Sequence, residues 1–186
     1  MVKKIKIYKN FKVNKKHKKS IILIGNFDGL HSGHQKLFKQ AQKFKKKLNL
    51  NLGVITFDPI PKMFFDKKIK NYRISNFDQK VSYFQKFNVD FLINKNFNKT
   101  FSKVTCSKFI ENILYKSLKV KYIFVSNNFR FGYKREGNVN LLKSYQKKYK
   151  YKIVNPKPLI IKNRVISSTL IRKLLQNGEL NSANKI

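Results

Sequence analysis

The sequence predicts a parallel α/β sheet with helices on both faces. Three observations carry this: short apolar runs alternate with helical patterns along the chain, the first clean run ends in a glycine-rich turn, and an amphipathic helix follows that turn. At 186 residues the chain fits one domain, and neither an internal repeat nor a linker rich in Gly, Pro or Ser divides it.

Ile5 and Ile7, ahead of a lysine-rich loop, read as an edge strand. Ile21-Ile22-Leu23-Ile24 anchors the first clean strand, over 20–25. Leu37, Ala41, Phe44 and Leu48 recur at spacings of four, three and four, the period of one buried helix face, so a helix is expected over 34–48. Further strands are expected at 51–57, 90–94, 121–126 and 151–154, with an extended piece near 158–166. Helical patterns occupy about 77–87, 106–117, 138–149 and 167–176, the last stopped by Asn177-Gly178.

Ligands of such sheets bind beyond the carboxyl ends of the strands, near the point where strand order reverses. Gly25–His34 follows the first clean strand, Asp58–Pro61 the second, and Asn127–Gly132 the one ending at Ser126, while Ser167–Arg172 opens the last helix. These four segments are therefore expected on one rim. Glycines at 25, 29 and 33 allow positive φ and close approach to a ligand. The helix start behind them offers free N–H groups and a positive dipole end, a phosphate site. His31 and His34 then stand beside it as neutral or cationic donors; the bland reading makes such histidines caps or surface residues.

The formal charge is +35. Arginine occupies only positions 73, 130, 135, 164 and 172, so lysine supplies nearly all of the 43 basic residues, spread over every helix face and loop. That distribution argues against one patch made for a polyanion, so no specific nucleic-acid partner is expected, only salt-sensitive adherence. The same field favours arrival of anionic substrates. The longest clean apolar run is four residues, against the roughly 20 that cross a bilayer, so no membrane partner is expected. Cys106 is alone and excludes an internal disulfide, which suits a cytoplasmic setting.

The segment Gly25-Asn26-Phe27-Asp28-Gly29-Leu30-His31-Ser32-Gly33-His34 resembles the histidine motif of the nucleotidyltransferase superfamily, and within it the adenylyltransferase half of bacterial FAD synthetases. Further stretches agree in order: Thr56-Phe57-Asp58-Pro59-Ile60-Pro61, Tyr72-Arg73-Ile74-Ser75 with Lys80, Asn128-Phe129-Arg130-Phe131-Gly132, and Ile166-Ser167-Ser168-Thr169-Leu170-Ile171-Arg172.

The resemblance implies a Rossmann-like sheet of the nucleotidyltransferase type and adenylyl transfer from ATP to FMN, giving FAD and pyrophosphate, with Mg2+ on the phosphates. It implies that His31 and His34 contact the ATP phosphates, that Asn128 approaches them and the metal, and that Arg172 caps the triphosphate with Ser167, Ser168 and Thr169. Gly25, Asn26, Phe27, Asp28, Gly29 and Gly33 would line the nucleotide pocket. Pro59, Ile60, Pro61, Arg73, Phe129 and Phe131 would border the flavin. Ile60 stands where the family usually has His, and Ser126 where it usually has Gly. The family's riboflavin kinase domain would begin near Ile186 and is expected to be absent, leaving FMN supply to a separate kinase. Two competing readings keep the fold: transfer to another phosphate acceptor, or a non-catalytic nucleotide or flavin binder.

Overall fold

Ile21, Ile22, Leu23 and Ile24 are buried at every position, as a strand covered on both faces must be. A computed structural model describes residues 4–69, 72–161 and 163–186. The strands are β1 (Lys6–Tyr8), β2 (Ile21–Ile24), β3 (Leu52–Asp58), β4 (Phe91–Asn96), β5 (Tyr122–Phe124), β6 (Arg130–Phe131), β7 (Gly137–Asn138), β8 (Lys152–Val154), β9 (Ile160–Ile161) and β10 (Arg164–Val165). The helices are α1 (Ser32–Leu48), α2 (Pro61–Phe65), α3 (Phe77–Lys86), α4 (Lys99–Ser102), α5 (Cys106–Lys108), α6 (Val139–Ser144), α7 (Gln146–Tyr149), α8 (Ser168–Gln176) and α9 (Leu180–Asn184).

Six strands form one sheet in the order β1-β4-β3-β2-β5-β8, and every pairing is parallel. From β2 the chain steps to β3 and β4 on one side, then returns to place β5 on the other. The order thus reverses at β2, and a crevice opens at its carboxyl end. Side chains alternate between faces with period two. Ile22, Ile24, Ile55, Ile93 and Ile123 pack on one side with the 106–118 helix and α6. Ile21, Leu23, Val54, Leu92 and Phe124 pack on the other with α1 and α3.

The helices keep their expected places with local departures. After α5 the winding becomes a π-helix over Phe109–Ser117, and Leu118 donates its N–H to Ile113 O, five residues back, at 3.0 Å. Phe109/Ile110, Ile113/Leu114 and Leu118 recur every four to five residues, which suits this wider turn and buries all five. The helix expected over 138–149 breaks at Tyr145 into α6 and α7. The extended piece near 158–166 is the two-stranded β9–β10 pair, with residue 162 outside the described residues. α2, α4 and α9 were not expected. No described helix is long and apolar enough to cross a membrane.

Candidate active site

Beyond the carboxyl ends of the sheet strands lies a cavity of about 900 Å³. Gly25, Asn26 and Phe27 line it behind β2, and the start of α1 adds His31, Gly33 and His34. Ile60 and Pro61 enter from the end of β3, and Asn128, Phe129 and Phe131 from the segment after β5. Ser167, Ser168 and Thr169 complete the wall at the start of α8. All four segments therefore share one rim.

His31 caps α1: its Nδ1 accepts the backbone N–H of His34 at 3.3 Å. An accepting imidazole nitrogen carries no proton, so in the neutral ring the proton sits on Nε2. The two rings stack with centroids 3.7 Å apart and 23° between planes. Burial pushes His31 down to about 4. Burial also holds His34 well below the ordinary imidazole range, with like-charge effects from His31 and Lys80 adding to it. Both are neutral donors near pH 7, not cations.

A pH titration followed by NMR is therefore expected to leave the His31 and His34 ring resonances unmoved between about pH 8 and 6, with His31 titrating near 4. The unfolded imidazole titrates near about 6.5. Between that value and 4 the unfolded chain binds more protons, so stability falls as pH drops through this window and is fully restored above it. Rings that titrate at the ordinary value would refute the neutral pair.

The glycines act differently from expectation. Of 25, 29 and 33, only Gly29 has positive φ, at 81°. A Cβ on Gly33 would lie 3.1 Å from His31 Nδ1, and one on Gly25 would lie 3.1 Å from the Phe27 ring. These two glycines make room for the site's own rings. The left-handed positions fall instead on Phe27 and Leu30, at φ 46° and 30°, both buried in the core. Such strain persists only where surrounding structure enforces it.

Asp28 does not reach the cavity wall. Its carboxylate is buried and accepts the backbone N–H groups of Ile74 and Ser75 at 3.1 Å. Arg172 does not face the cavity either: its Nη2 donates to Asp28 Oδ2 at 2.5 Å and its Nε to Tyr72 O at 2.8 Å. A lysine-rich chain with eight acidic residues leaves few carboxylates, and this one is bound to its arginine. Arg73 pairs with Asp58 rather than reaching into the cavity, and neither it nor Gly29 or Pro59 lines the wall.

Ser167 accepts the Leu170 N–H at 3.2 Å as the cap of α8. Ser168 Oγ donates to Asp28 O at 2.7 Å, while Thr169 is exposed on the wall. The Ser126 hydroxyl donates to Asn128 Oδ1 at 2.9 Å, so it orients the amide expected near the phosphates. Phe129 and Phe131 do share a face: their rings stack 5.6 Å apart at 13° and also pack on the core.

The wall also holds aromatic residues that lie outside the motifs read in the sequence. Phe65, Phe97 and Phe101 add aromatic surface. Lys80 is buried in α3, where its Nζ donates to Asn26 O at 3.1 Å, and burial lowers its pKa against the opposing pull of Asp28. Lys36, Lys62, Arg130, Lys134, Arg135 and Lys157 line the cavity, with Asp66 the one acidic residue among its described lining residues. Lys134 and Arg135 both hold left-handed backbone, at φ 49° and 60°. Among the described residues no group of three His, Cys, Asp or Glu gathers to hold a metal ion. Ser32 Oγ and His34 Nδ1 are buried without hydrogen-bond partners. A neutral donor pair, two helix starts and a cationic wall form a site suited to phosphate groups.

A family model described as FAD synthetase matches residues 13–170. The bifunctional riboflavin kinase/FMN adenylyltransferase of Buchnera aphidicola subsp. Schizaphis graminum is 40% identical over 168 residues, covering 90% of this chain and 54% of that protein. The protein of the same name from Escherichia coli strain K12 is 32% identical over 166 residues, covering 89% of this chain and 53% of that one. The chain spans about half the length of the curated relatives it matches. Among solved structures, one described as a macrolide-efflux protein from Streptococcus pneumoniae superposes with a TM-score of 0.85 at 26% identity, covering 99% of this chain and 61% of that one. A pantoate-β-alanine ligase from Francisella tularensis, at TM-score 0.60 and 18% identity, covers 98% of this chain and 77% of that one and shares the fold. The chain belongs to the FAD synthetase family.

Proposed function

We propose that this chain transfers the adenylyl group of ATP to FMN, releasing pyrophosphate and giving FAD. One observation carries the reading: in a member of this family, the neutral His31–His34 pair and the start of α8 line the same cavity beyond the reversal point of the sheet. In the reaction an FMN phosphate oxygen attacks the α-phosphorus of ATP. A new P–O bond forms, the bond to the bridging oxygen of the β-phosphate breaks, and pyrophosphate leaves with that electron pair. The FMN phosphate is largely ionised at neutral pH, so no strong general base is needed and the work is alignment and charge stabilisation.

His31 Nε2–H and the free N–H groups opening α1 stabilise charge on the phosphates. Thr169 and the opening turn of α8 meet the triphosphate from the facing wall, and Asn128 approaches it from the segment after β5. Magnesium enters as part of the MgATP substrate, bound by phosphate oxygens and water. Phe129, Phe131, Ile60 and Pro61 offer an apolar and aromatic wall for the isoalloxazine. FMN supply falls to a riboflavin kinase activity, which the curated relatives carry in their names.

The test is incubation of purified protein with ATP, magnesium and FMN, following FAD and pyrophosphate together. Stoichiometric FAD and pyrophosphate are expected. Turnover only with another phosphate acceptor, or nucleotide binding without turnover, would overturn this reading.

A further inference from the structure

Arg172 lies beside the cavity, yet it does not line it. Its guanidinium binds Asp28 Oδ2 at 2.5 Å and Tyr72 O at 2.8 Å, and lies 3.8 Å from the centroid of the Tyr72 ring. Tyr72 lines the cavity; Asp28 sits between the wall residues Phe27 and His31. Ser168, one turn before Arg172 and so on the same helix face, donates to Asp28 O at 2.7 Å. The Asp28 carboxylate also accepts the N–H of Ile74 and Ser75, and Gly29 N–H donates to Ser75 Oγ at 3.0 Å. Two remote segments, 72–75 and 168–172, thus close on residues 28 and 29.

We infer that Arg172 and Asp28 form a clasp that positions the histidine turn, the α8 start and the Tyr72 wall against one another, so that Arg172 is a positioning residue and not a phosphate ligand. The inference deepens the proposed adenylyl transfer and rests on it. The physical basis is the direction of the side chains. The Asp28 side chain is 2% and the Arg172 side chain 16% exposed, and each charge is satisfied by the other and by backbone groups. Removing one partner leaves the other buried and unpaired, which displaces the turn; removing both relieves that conflict. A guanidinium can serve the carboxylate and the Tyr72 carbonyl at once through separate N–H groups, whereas a single ammonium on a flexible stem holds both less well.

The test is a double-mutant cycle with Arg172→Gln and Asp28→Asn, measuring FAD formation. Each single variant is expected to lower kcat roughly 10²-fold with KM for ATP changed less than about threefold, and the combined variant is expected to be no slower than either single one. Arg172→Lys, which keeps the charge and the fold, should recover activity only to within about tenfold of wild type. Hydrogen exchange reads the clasp without turnover: residues 25–34 and 72–75 should lose protection in Arg172→Gln while β4 keeps it. A rise in KM for ATP that multiplies independently of Asp28→Asn, full activity in Arg172→Lys, or unchanged exchange at residues 25–34 would overturn the inference. Failure of the proposed reaction is read separately, as wild-type protein that forms no FAD.

Discussion

Replacing His34 with Ala is expected to lower turnover roughly 10²-fold or more, because it removes a preorganised donor from the place where charge develops on the phosphates. The companion variant is His31→Asn rather than His31→Ala. His31 Nδ1 accepts the His34 N–H, so an alanine would remove a helix cap, a loss of about 1 kcal/mol, along with the chemistry. Asparagine is a strong cap with a side-chain oxygen of its own, yet it lacks the Nε2–H. The expected result is wild-type thermal stability with turnover down by a similar 10²-fold. Wild-type turnover in both variants would remove the imidazoles from the mechanism; a matching collapse of stability in His31→Asn would make that residue a cap alone.

Gly132→Ala is expected to destabilise the fold by about 2–5 kcal/mol in chemical denaturation, adding left-handed strain to overpacking. Gly132 has φ 76°, and a Cβ there would lie 2.4 Å from Cys106 Sγ and 2.9 Å from Cys106 N. The second contact is backbone, so no rotamer change relieves it. Gly178 has the same φ of 76° with nothing within 4 Å of its added Cβ. Gly178→Ala therefore isolates the backbone term and should cost about 1 kcal/mol. Equal losses at the two positions would show that the Cys106 contact carries no weight.

The sheet was legible where burial is written into consecutive residues. Ile21–Ile24 and the centres of β3 and β4 are apolar runs that only a strand covered on both faces tolerates. α1 was legible through Leu37 and Ala41, both on its buried face. The rim followed from order alone, because motifs after consecutive parallel strands must share an edge. What stayed hidden depends on remote contacts. The π-winding of Phe109–Ser117 follows from which side chains the core accepts, and α2 and α9 are only five residues each. The family resemblance makes Asp28 a pocket residue, yet its side chain turns toward Ile74, Ser75 and Arg172, 46 to 144 positions away. Gly25 and Gly33 read as glycines that allow positive φ and close approach to a ligand, yet they are small because aromatic rings occupy the adjacent space. Neutral imidazoles follow from desolvation, which sequence spacing does not encode.

The contact between Ser168 and Asp28 spans 140 positions, and that between Arg172 and Asp28 spans 144. Closing a loop of that length costs more chain entropy than closing a local one. During synthesis the histidine turn leaves the ribosome before its opposing wall at α8 has been made. A nascent chain stalled before α8 lacks the contacts that hold the histidine turn against its opposing wall. Closure of the cavity wall around the histidine turn thus waits on the docking of α8.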